Sequence, residues 1–445
     1  MKIVIAGAGE VGTHLAKMLS KEKQDIILLD TKVEKLQWID ANYNLMTVVG
    51  DPSSFSALKN AEAGKADLFI AVTPSDDKNI TACMLASKLG AQKTVARIDN
   101  YEYMLPENRA FFKDMGVDEL IYPEMLAAEE ILNALKITWA RKWFSLCDNK
   151  LILVSTKIRE NSSIVNSKLW DLTKEHNFYH VSAIKRKDDI IIPRGSDEIL
   201  LNDIVYFTTT PEHLNDIRDI TGKRDITVDS IIVLGGSRIA IQLARILPDS
   251  ISMKIIEQDY EKSLRLAERL PDVYIIHGDA RETDLLIEEG IKNIDAFIAL
   301  SDNSETNILS CLTAKKLGVK TKTVAEVENI QFISTAESLD IGSIINKKII
   351  AASKIYQLLI DTDISDARCL ATSDAEVVEV TVKEGAKITK GKIKDLDIPK
   401  GLTLGGMVRD GVGYIINGDT EIKPNDHVLI ICVNDILHKV EKLFG

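Results

Sequence analysis

The chain has 445 residues, 45% hydrophobic and 27% charged, with a formal net charge of −12 at pH 7. That length suggests about three domains, and the composition is that of a folded chain rather than a fibrous or disordered one. The acidic balance argues against nucleic acid or an anionic membrane surface as the main partner.

The opening MKIVIAGAG is expected to run straight into a strand, leaving no room for a leader peptide. No apolar run approaches the ~20 residues of a membrane helix. The five cysteines (Cys83, Cys147, Cys311, Cys369 and Cys432) are scattered without C-x-x-C spacing, which reads as reduced, buried thiols of a cytoplasmic protein.

After KIVIAG comes Gly7-Ala8-Gly9-Glu10-Val11-Gly12, a G-x-G-x-x-G turn leading into the amphipathic stretch THLAKMLSK. In such a turn the first glycine permits the bend and the second lets backbone approach a pyrophosphate. The third lets the helix sit close to the strand. The helix N-terminus adds unpaired N–H groups for the phosphates.

The next strand, DIILLD, ends at Asp30, where a carboxylate accepts hydrogen bonds from a ribose diol and repels a 2′-phosphate, favouring NAD over NADP. The strands MTVVGD, LFIAVT and TVARID then place Asp51, Thr73 and Arg97 at successive C-terminal strand ends, the edge where such sheets bind ligands. Asp51 would face the adenosine half and Thr73 the ribose or phosphate, and Arg97 would pair with phosphate. The bland alternatives are loop caps for Asp51 and Thr73 and a surface ion pair for Arg97.

Apolar strands alternating with amphipathic helices predict a parallel sheet covered on both faces, a doubly wound Rossmann fold. A long helical connector is expected over residues 124–143, capping its own sheet or pairing with another subunit. Residues 151–222 then read as short strands and turns (LILVSTKI, VSAIKR, IIIPRG, DIVYFTTT), a small α+β domain.

The plan then repeats at an offset of 228: KIVIAGAG at 2–9 faces SIIVLGGS at 230–237. VVGD faces IIHGD, and SKLGAQKTVARIDN faces KKLGVKTKTVAEVEN. A period this long indicates duplication of a two-domain unit rather than a solenoid. A second connector is expected at 344–360, and a second α+β domain over 376–440. In both back segments an Asn-Asp turn (NDIV, NDHV) leads into the final strand.

The second copy keeps Gly235, and Glu257, Asp279 and Ser301 match Asp30, Asp51 and Thr73. Ser237 replaces Gly9, Ala240 replaces Gly12, and Glu326 replaces Arg97, with Arg238 in the loop as a compensating cation. This second pocket is expected to be altered and poor in nucleotide.

Other motifs fail. GAKITKGKI (385–393) has five residues between its glycines and no Ser/Thr after Gly-Lys, so it is not a P-loop. His176 and His180 lack a third ligand with metal spacing. No tyrosine has a lysine four positions later, and no acid/base cluster points to catalysis. The chain therefore reads as a non-enzyme without a metal site.

Taken together, GAGEVG with Asp30, ADLFIAVTPSDDKNI, IDAFIALSDNSETNIL and the stretch from VVEVTVKEGAKITKGKI to PNDHVLIIC resemble the TrkA-type regulatory family of potassium uptake systems. The resemblance covers the whole chain. It implies an α/β fold with two Rossmann-like doubly wound parallel sheets, each followed by a small α+β C-terminal domain. The corresponding division is 1–140 and 228–360 for the RCK (KTN) Rossmann domains, and 141–225 and 361–445 for the RCK C-terminal domains.

It further implies a cytoplasmic subunit that transports nothing itself. Such a subunit binds NAD/NADH, with ATP or ADP as further candidates, and assembles, as a tetramer, on the inner face of a TrkH/TrkG-type membrane subunit. The competing readings are a nucleotide sensor for another cation transporter and an NAD-dependent oxidoreductase.

Overall fold

The computed structural model describes residues 1–20, 24–175, 177–187, 189–319, 321–358, 364–369, 375–433, 440 and 443–444. His176 lies outside them. By its contacts the chain divides into two compact units, Met1–Ala127 with Lys347–Leu359, and Ala128–Asn346 with Ile360–Gly445.

The first unit is built on six parallel strands: β1 (Lys2–Ala6), β2 (Asp25–Asp30), β3 (Met46–Val49), β4 (Leu68–Ala71), β5 (Lys93–Arg97) and β6 (Glu119–Ile121). Their order is β3-β2-β1-β4-β5-β6, all in parallel register. The order reverses between β1 and β4, which opens a crevice beyond their C-terminal ends.

The alternating apolar strands have only one stable arrangement, buried on both faces. Val4, Ile27, Phe69 and Ala96 sit in one core with Ala82, Cys83 and Ala86 of helix α4 (Asp76–Leu89). The other helices are α1 (Glu10–Ser20), α2 (Val33–Asn42), α3 (Phe55–Asn60) and α5 (Pro106–Asp114). Helix α4 starts where Ser75 Oγ accepts the Lys78 amide at 3.4 Å and stops at Gly90, whose φ of +121° an L side chain rarely adopts.

Both connectors depart from expectation. The first is not helical throughout: α6 covers Pro123–Lys136, and the chain turns into β7 (Lys142–Leu146). The aromatic pair Trp143–Phe144 suits the β7 strand better than a helix. The second connector begins in a strand and becomes helix α14 (Lys347–Gln357), which packs on α1 of the first unit. Ala351, Ala352, Ile355 and Tyr356 are buried, and Lys348 Nζ meets Glu10 Oε2 at 2.6 Å. Neither anticipated role, capping its own sheet or pairing with another subunit, names this partner.

In the second unit β7 joins β8 (Leu151–Lys157), β10 (Tyr179–Arg186), β11 (Asp189–Ile191) and β13 (Ile204–Thr209) in an antiparallel sheet of order β11-β10-β13-β8-β7. Two short strands, β9 (Ser167–Lys168) and β12 (Glu198–Ile199), pair beside it, with α7 (Leu169–Glu175) and α8 (Leu214–Ile220).

A second parallel sheet follows: β14 (Ser230–Leu234), β15 (Ser252–Glu257), β16 (Tyr274–His277), β17 (Ala296–Ala299), β18 (Lys322–Glu326) and β19 (Ser343–Ile345). Its order, β16-β15-β14-β17-β18-β19, repeats the first. Its helices are α9 (Arg238–Ile246), α10 (Tyr260–Arg269), α11 (Thr283–Glu288), α12 (Ser304–Leu317) and α13 (Gln331–Ser338). The last sheet is antiparallel and holds β20 (Ile364–Cys369), β21 (Ala375–Thr381), β22 (Leu402–Arg409), β23 (Val412–Ile415) and β24 (His427–Val433).

The two antiparallel sheets share a core in which Leu151, Leu153 and Tyr206 pack with Val377, Leu429 and Ile431. A Cβ at Gly405 would come 2.6 Å from Thr208 Oγ1, so the close approach requires glycine there. Both Asn-Asp turns have one construction. Asn202 and Asn425 take positive φ (71° and 69°), and the buried Asp203 and Asp426 pair with Arg186 at 2.8 Å and Arg409 at 2.7 Å. Cys83, Cys147, Cys311 and Cys432 are buried and not joined in disulfides, and burial pushes the Cys311 and Cys432 thiols up to about 12.

Candidate functional site

The first glycine turn sits at the reversal of strand order. Gly7 has φ +114° and its amide donates to Leu29 O at 2.8 Å. A Cβ at Gly12 would lie 1.9 Å from the Gly7 carbonyl oxygen, so the turn and α1 can close on each other only without one. Gly9 differs: a Cβ there would meet nothing within 4 Å. The packing of the chain does not demand glycine at this position, and the space beside it is open to a ligand. Ala8 and Val11 are buried under the turn, and Glu10 is exposed and paired with Lys348.

Asp30 is tied to the turn. Its Oδ2 accepts the Ala8 amide at 2.6 Å and its Oδ1 the Lys32 amide at 2.8 Å. Each carboxylate oxygen has two acceptor sites, so one on each remains for a ribose hydroxyl. The residues therefore fit a dinucleotide: an open approach over Gly9, amides at the start of α1, and an acid with spare acceptors.

Asp51 is placed as a loop cap. It accepts the Ser53 hydroxyl at 2.7 Å and amide at 3.0 Å and pairs with Lys78 at 3.0 Å. Those bonds, the Ser53 hydroxyl foremost, hold its carboxyl down at about 2. Thr73 is brought to Asn79, whose Oδ1 accepts both the Thr73 hydroxyl (2.7 Å) and amide (2.9 Å). Arg97 donates to Thr73 O at 3.2 Å and to Asp99 Oδ1 at 2.5 Å.

Asn79 is fully buried, and its Nδ2 also donates to Thr73 O and Arg97 O, at 2.9 and 2.8 Å. One side chain thus ties together the ends of β4 and β5. Its counterpart Asn307 does the same for Ser301 and Glu326, donating to Ser301 O at 2.8 Å and Glu326 O at 2.9 Å. The sequence carries this asparagine in both copies, in DDKNI and in SETNI. Its presence at one place in both copies was the available signal.

The second turn keeps the bend, with Gly235 at φ +90°. Ser237 caps α9, its hydroxyl accepting the Ala240 amide at 3.4 Å. Glu257 is more heavily engaged than Asp30. Its Oε1 accepts the Asp259 amide at 3.0 Å, and its Oε2 takes both the Gly236 amide (2.9 Å) and the Lys262 ammonium (2.7 Å). Burial alone would raise this carboxyl, but those three donors outweigh burial and hold it below the usual range.

A cavity of about 350 Å³ nevertheless lies at this edge, lined by Gly235, Glu257, Lys262, Asp279, Arg281 and Ser301 among others. Asp279 is held below the usual range by Arg281, whose Nη2 sits 2.6 Å away. Arg238 is exposed, and Glu326 is buried at the end of β18. Lys262 and Arg281 are the basic groups at this edge that the sequence reading missed.

Duplicated parallel sheets with a nucleotide-type glycine turn at the switch point, each followed in the chain by a small antiparallel sheet, define a tandem Rossmann protein of the RCK class. Family models described as the TrkA-N domain match residues 3–123 and 231–347, and models described as the TrkA-C domain match 153–222 and 377–445. The chain is 31% identical over 453 residues to the Trk system potassium uptake protein TrkA of Haemophilus influenzae, covering 100% of this chain and 98% of that one. The chain belongs to the TrkA family.

Among solved structures, the GsuK RCK domain aligns with a TM-score of 0.60 at 13% identity, over 100% of this chain and 94% of that one. The GsuK channel bound to NAD gives 0.59 at 14%, over 100% and 78%. At such identity these neighbours establish the fold, two RCK-type α/β units as expected. Among the described residues no helix is long and apolar enough to cross a membrane.

Proposed function

We propose that the chain is a cytoplasmic, nucleotide-binding regulatory subunit of a Trk-type potassium uptake system and carries no catalytic or transport activity of its own. The observation that carries the nucleotide part is the open space over Gly9 beside Asp30. The names of its relatives support the potassium part, and a neighbour of the same fold is a channel bound to NAD. The division into 1–140, 141–225, 228–360 and 361–445 is part of the same proposal.

In this reading NAD or NADH lays its pyrophosphate over the Gly7–Gly12 turn and its adenosine ribose on Asp30. Arg97, at the end of β5, meets the phosphate end and exchanges its Asp99 partner for phosphate. ATP or ADP would share the site and differ in charge at that end, so the two kinds of ligand would favour different states.

Helix α1 receives the signal because its first turn is the loop and α14 lies on it through the Glu10–Lys348 pair. Residue 347 follows directly on the segment that ends β19, so a shift of α1 is passed along the chain. The partner is a TrkH/TrkG-type membrane subunit, and a four-chain ring of RCK domains would present the regulatory surface on the inner face of the membrane.

The test is calorimetric titration of NADH, NADPH, ATP and ADP into wild type, Asp30→Ala and Glu257→Ala. Loss of the charged hydrogen bonds of Asp30 should weaken NADH by roughly 10- to 100-fold, with Glu257→Ala close to wild type. Absence of nucleotide binding in wild type would overturn the proposal.

A further inference from the structure

A second concentration of charge lies at the opposite edge of the second parallel sheet, away from its glycine turn. There the N-terminal ends of β18 and β19, the strands β7 and β8 and the segment after α8 enclose a cavity of about 260 Å³. Arg141, Lys157 and Arg159 come from the antiparallel sheet or its flanks, Lys223 and Arg224 from the segment after α8, and Lys315 and Lys322 from α12 and β18. Against these seven cations the lining holds, among the described residues, a single carboxylate, Asp340.

Asp340 is already shared. Arg141 Nη2 lies 2.5 Å from it, Arg159 also bonds to it, and Lys157 and Lys315 stand 4.0 Å away. Lys322 is 6% exposed, and its ammonium donates to the carbonyl oxygens of Ala140 and Thr138. No carboxylate lies within ion-pair distance of it among the described residues. The Thr321 hydroxyl, in the same lining, is buried with no hydrogen-bond partner among the described residues.

A buried ammonium without a counter-ion is destabilising because it loses its hydration, and like charges crowded together add to the cost. Burial, then Arg141 and Lys315, push the Lys322 ammonium down to about 7, and burial, then Arg159, push Lys223 down to about 8. Such crowding in a chain of net charge −12 is not a consequence of overall composition.

The first copy differs at this edge, although Lys93 begins β5 as Lys322 begins β18. There Asp118 precedes β6 and accepts the Thr94 amide at 2.8 Å. At the matching place before β19 stands Gly342, with φ +109°, where a Cβ would come 2.1 Å from the Thr323 carbonyl oxygen. The acid of the first copy is thus absent from the second by construction, and basic groups of the antiparallel sheet take up the edge.

We propose that this cavity binds a phosphate-bearing polyanion, a di- or triphosphate chain, that bridges the first antiparallel sheet to the second parallel sheet. The guanidinium groups of Arg141, Arg159 and Arg224 suit tetrahedral oxyanions, which such groups grip through paired N–H donors. The Thr321 hydroxyl and the Lys322 ammonium supply further donors at the inner wall. The site is separate from the glycine turns, since Lys322 begins the strand whose far end, at Glu326, faces the nucleotide edge.

The experiment is calorimetric titration of inorganic tripolyphosphate into the full-length chain, with ionic strength matched by chloride. Wild type is compared with the double variant Lys223→Ala/Arg224→Ala, whose side chains take no part in the Asp340 pairs. Binding that weakens by about tenfold or more in the double variant, while NADH affinity stays at the wild-type value, is the expected result. Absence of tripolyphosphate binding in wild type, or equal affinity in both proteins, would overturn the proposal. Neither of those results bears on nucleotide binding at the Gly7–Gly12 turn, which Asp30→Ala reads separately.

Discussion

The two glycine turns of this chain share a backbone plan and differ in what their side chains are free to do. In the first, Asp30 holds two amides and keeps acceptor capacity, and the space over Gly9 is empty. In the second, Ser237 occupies the helix N-terminus and Lys262 closes on Glu257. The strand ends beneath are the same in both, braced by Asn79 and by Asn307. Duplication has preserved the frame and let the side chains around it diverge, so the acid at the end of the second strand has different partners in the two copies.

The comparison can be pressed hardest at the braces. Asn79→Ala would remove the acceptor of the Thr73 amide and hydroxyl and one donor each from the Thr73 and Arg97 carbonyl oxygens, and should cost about 3 kcal/mol by denaturant unfolding. Asn307→Ala should cost a similar amount. A much smaller loss in one copy would show that the two frames are not equivalent.

Next in size is the third position of the turn. Gly12→Ala drives a methyl against the Gly7 carbonyl and should destabilise by about 1–3 kcal/mol. The reverse change, Ala240→Gly, should cost roughly 1 kcal/mol or less, as an ordinary helix substitution.

The second position separates folding from binding. Gly9→Ser has room, so thermal stability should stay within about 0.5 kcal/mol of wild type, while NADH affinity falls by about tenfold. Ser237→Gly should lower stability by only a few tenths of a kcal/mol. If it also strengthened nucleotide binding at the second turn, the capping serine would be what restrains that site.

The smallest effect is one of pH. The Glu257 carboxyl is held below its usual value of 4.5, so the folded chain takes up that proton less readily than the unfolded one. Its contribution is present above that value and is lost as the pH falls through the folded one. The stability difference between wild type and Glu257→Gln should therefore shrink on acidification, and a constant difference from pH 7 to pH 3 would remove the assignment.

Much of this architecture was legible in the sequence because it depends on local chemistry. Apolar strands ending in Asp30, Thr73 and Arg97, glycines at fixed spacing and a repeat at 228 determine the parallel sheets and their ligand edge. The long-range features were not legible. The reach of Lys262 to Glu257 spans a turn whose geometry no spacing rule gives, and Lys142 and Trp143 read as the end of the helical connector although they open a strand with an antiparallel neighbour. The basic cavity draws on residues from 141 to 340, each unremarked alone.

The seating of α14 on α1 has a consequence for how the chain can be divided. A segment more than 200 positions after the last strand of the first sheet supplies part of that sheet's covering. A fragment ending near residue 140 would therefore lack the helix that packs on α1, with its buried Ala351, Ala352, Ile355 and Tyr356. The first half of the duplication is thus no longer severable from the second. Synthesis of the first nucleotide fold is finished only after the ribosome has passed residue 357, and any truncation between those points should yield an aggregating product rather than a smaller sensor.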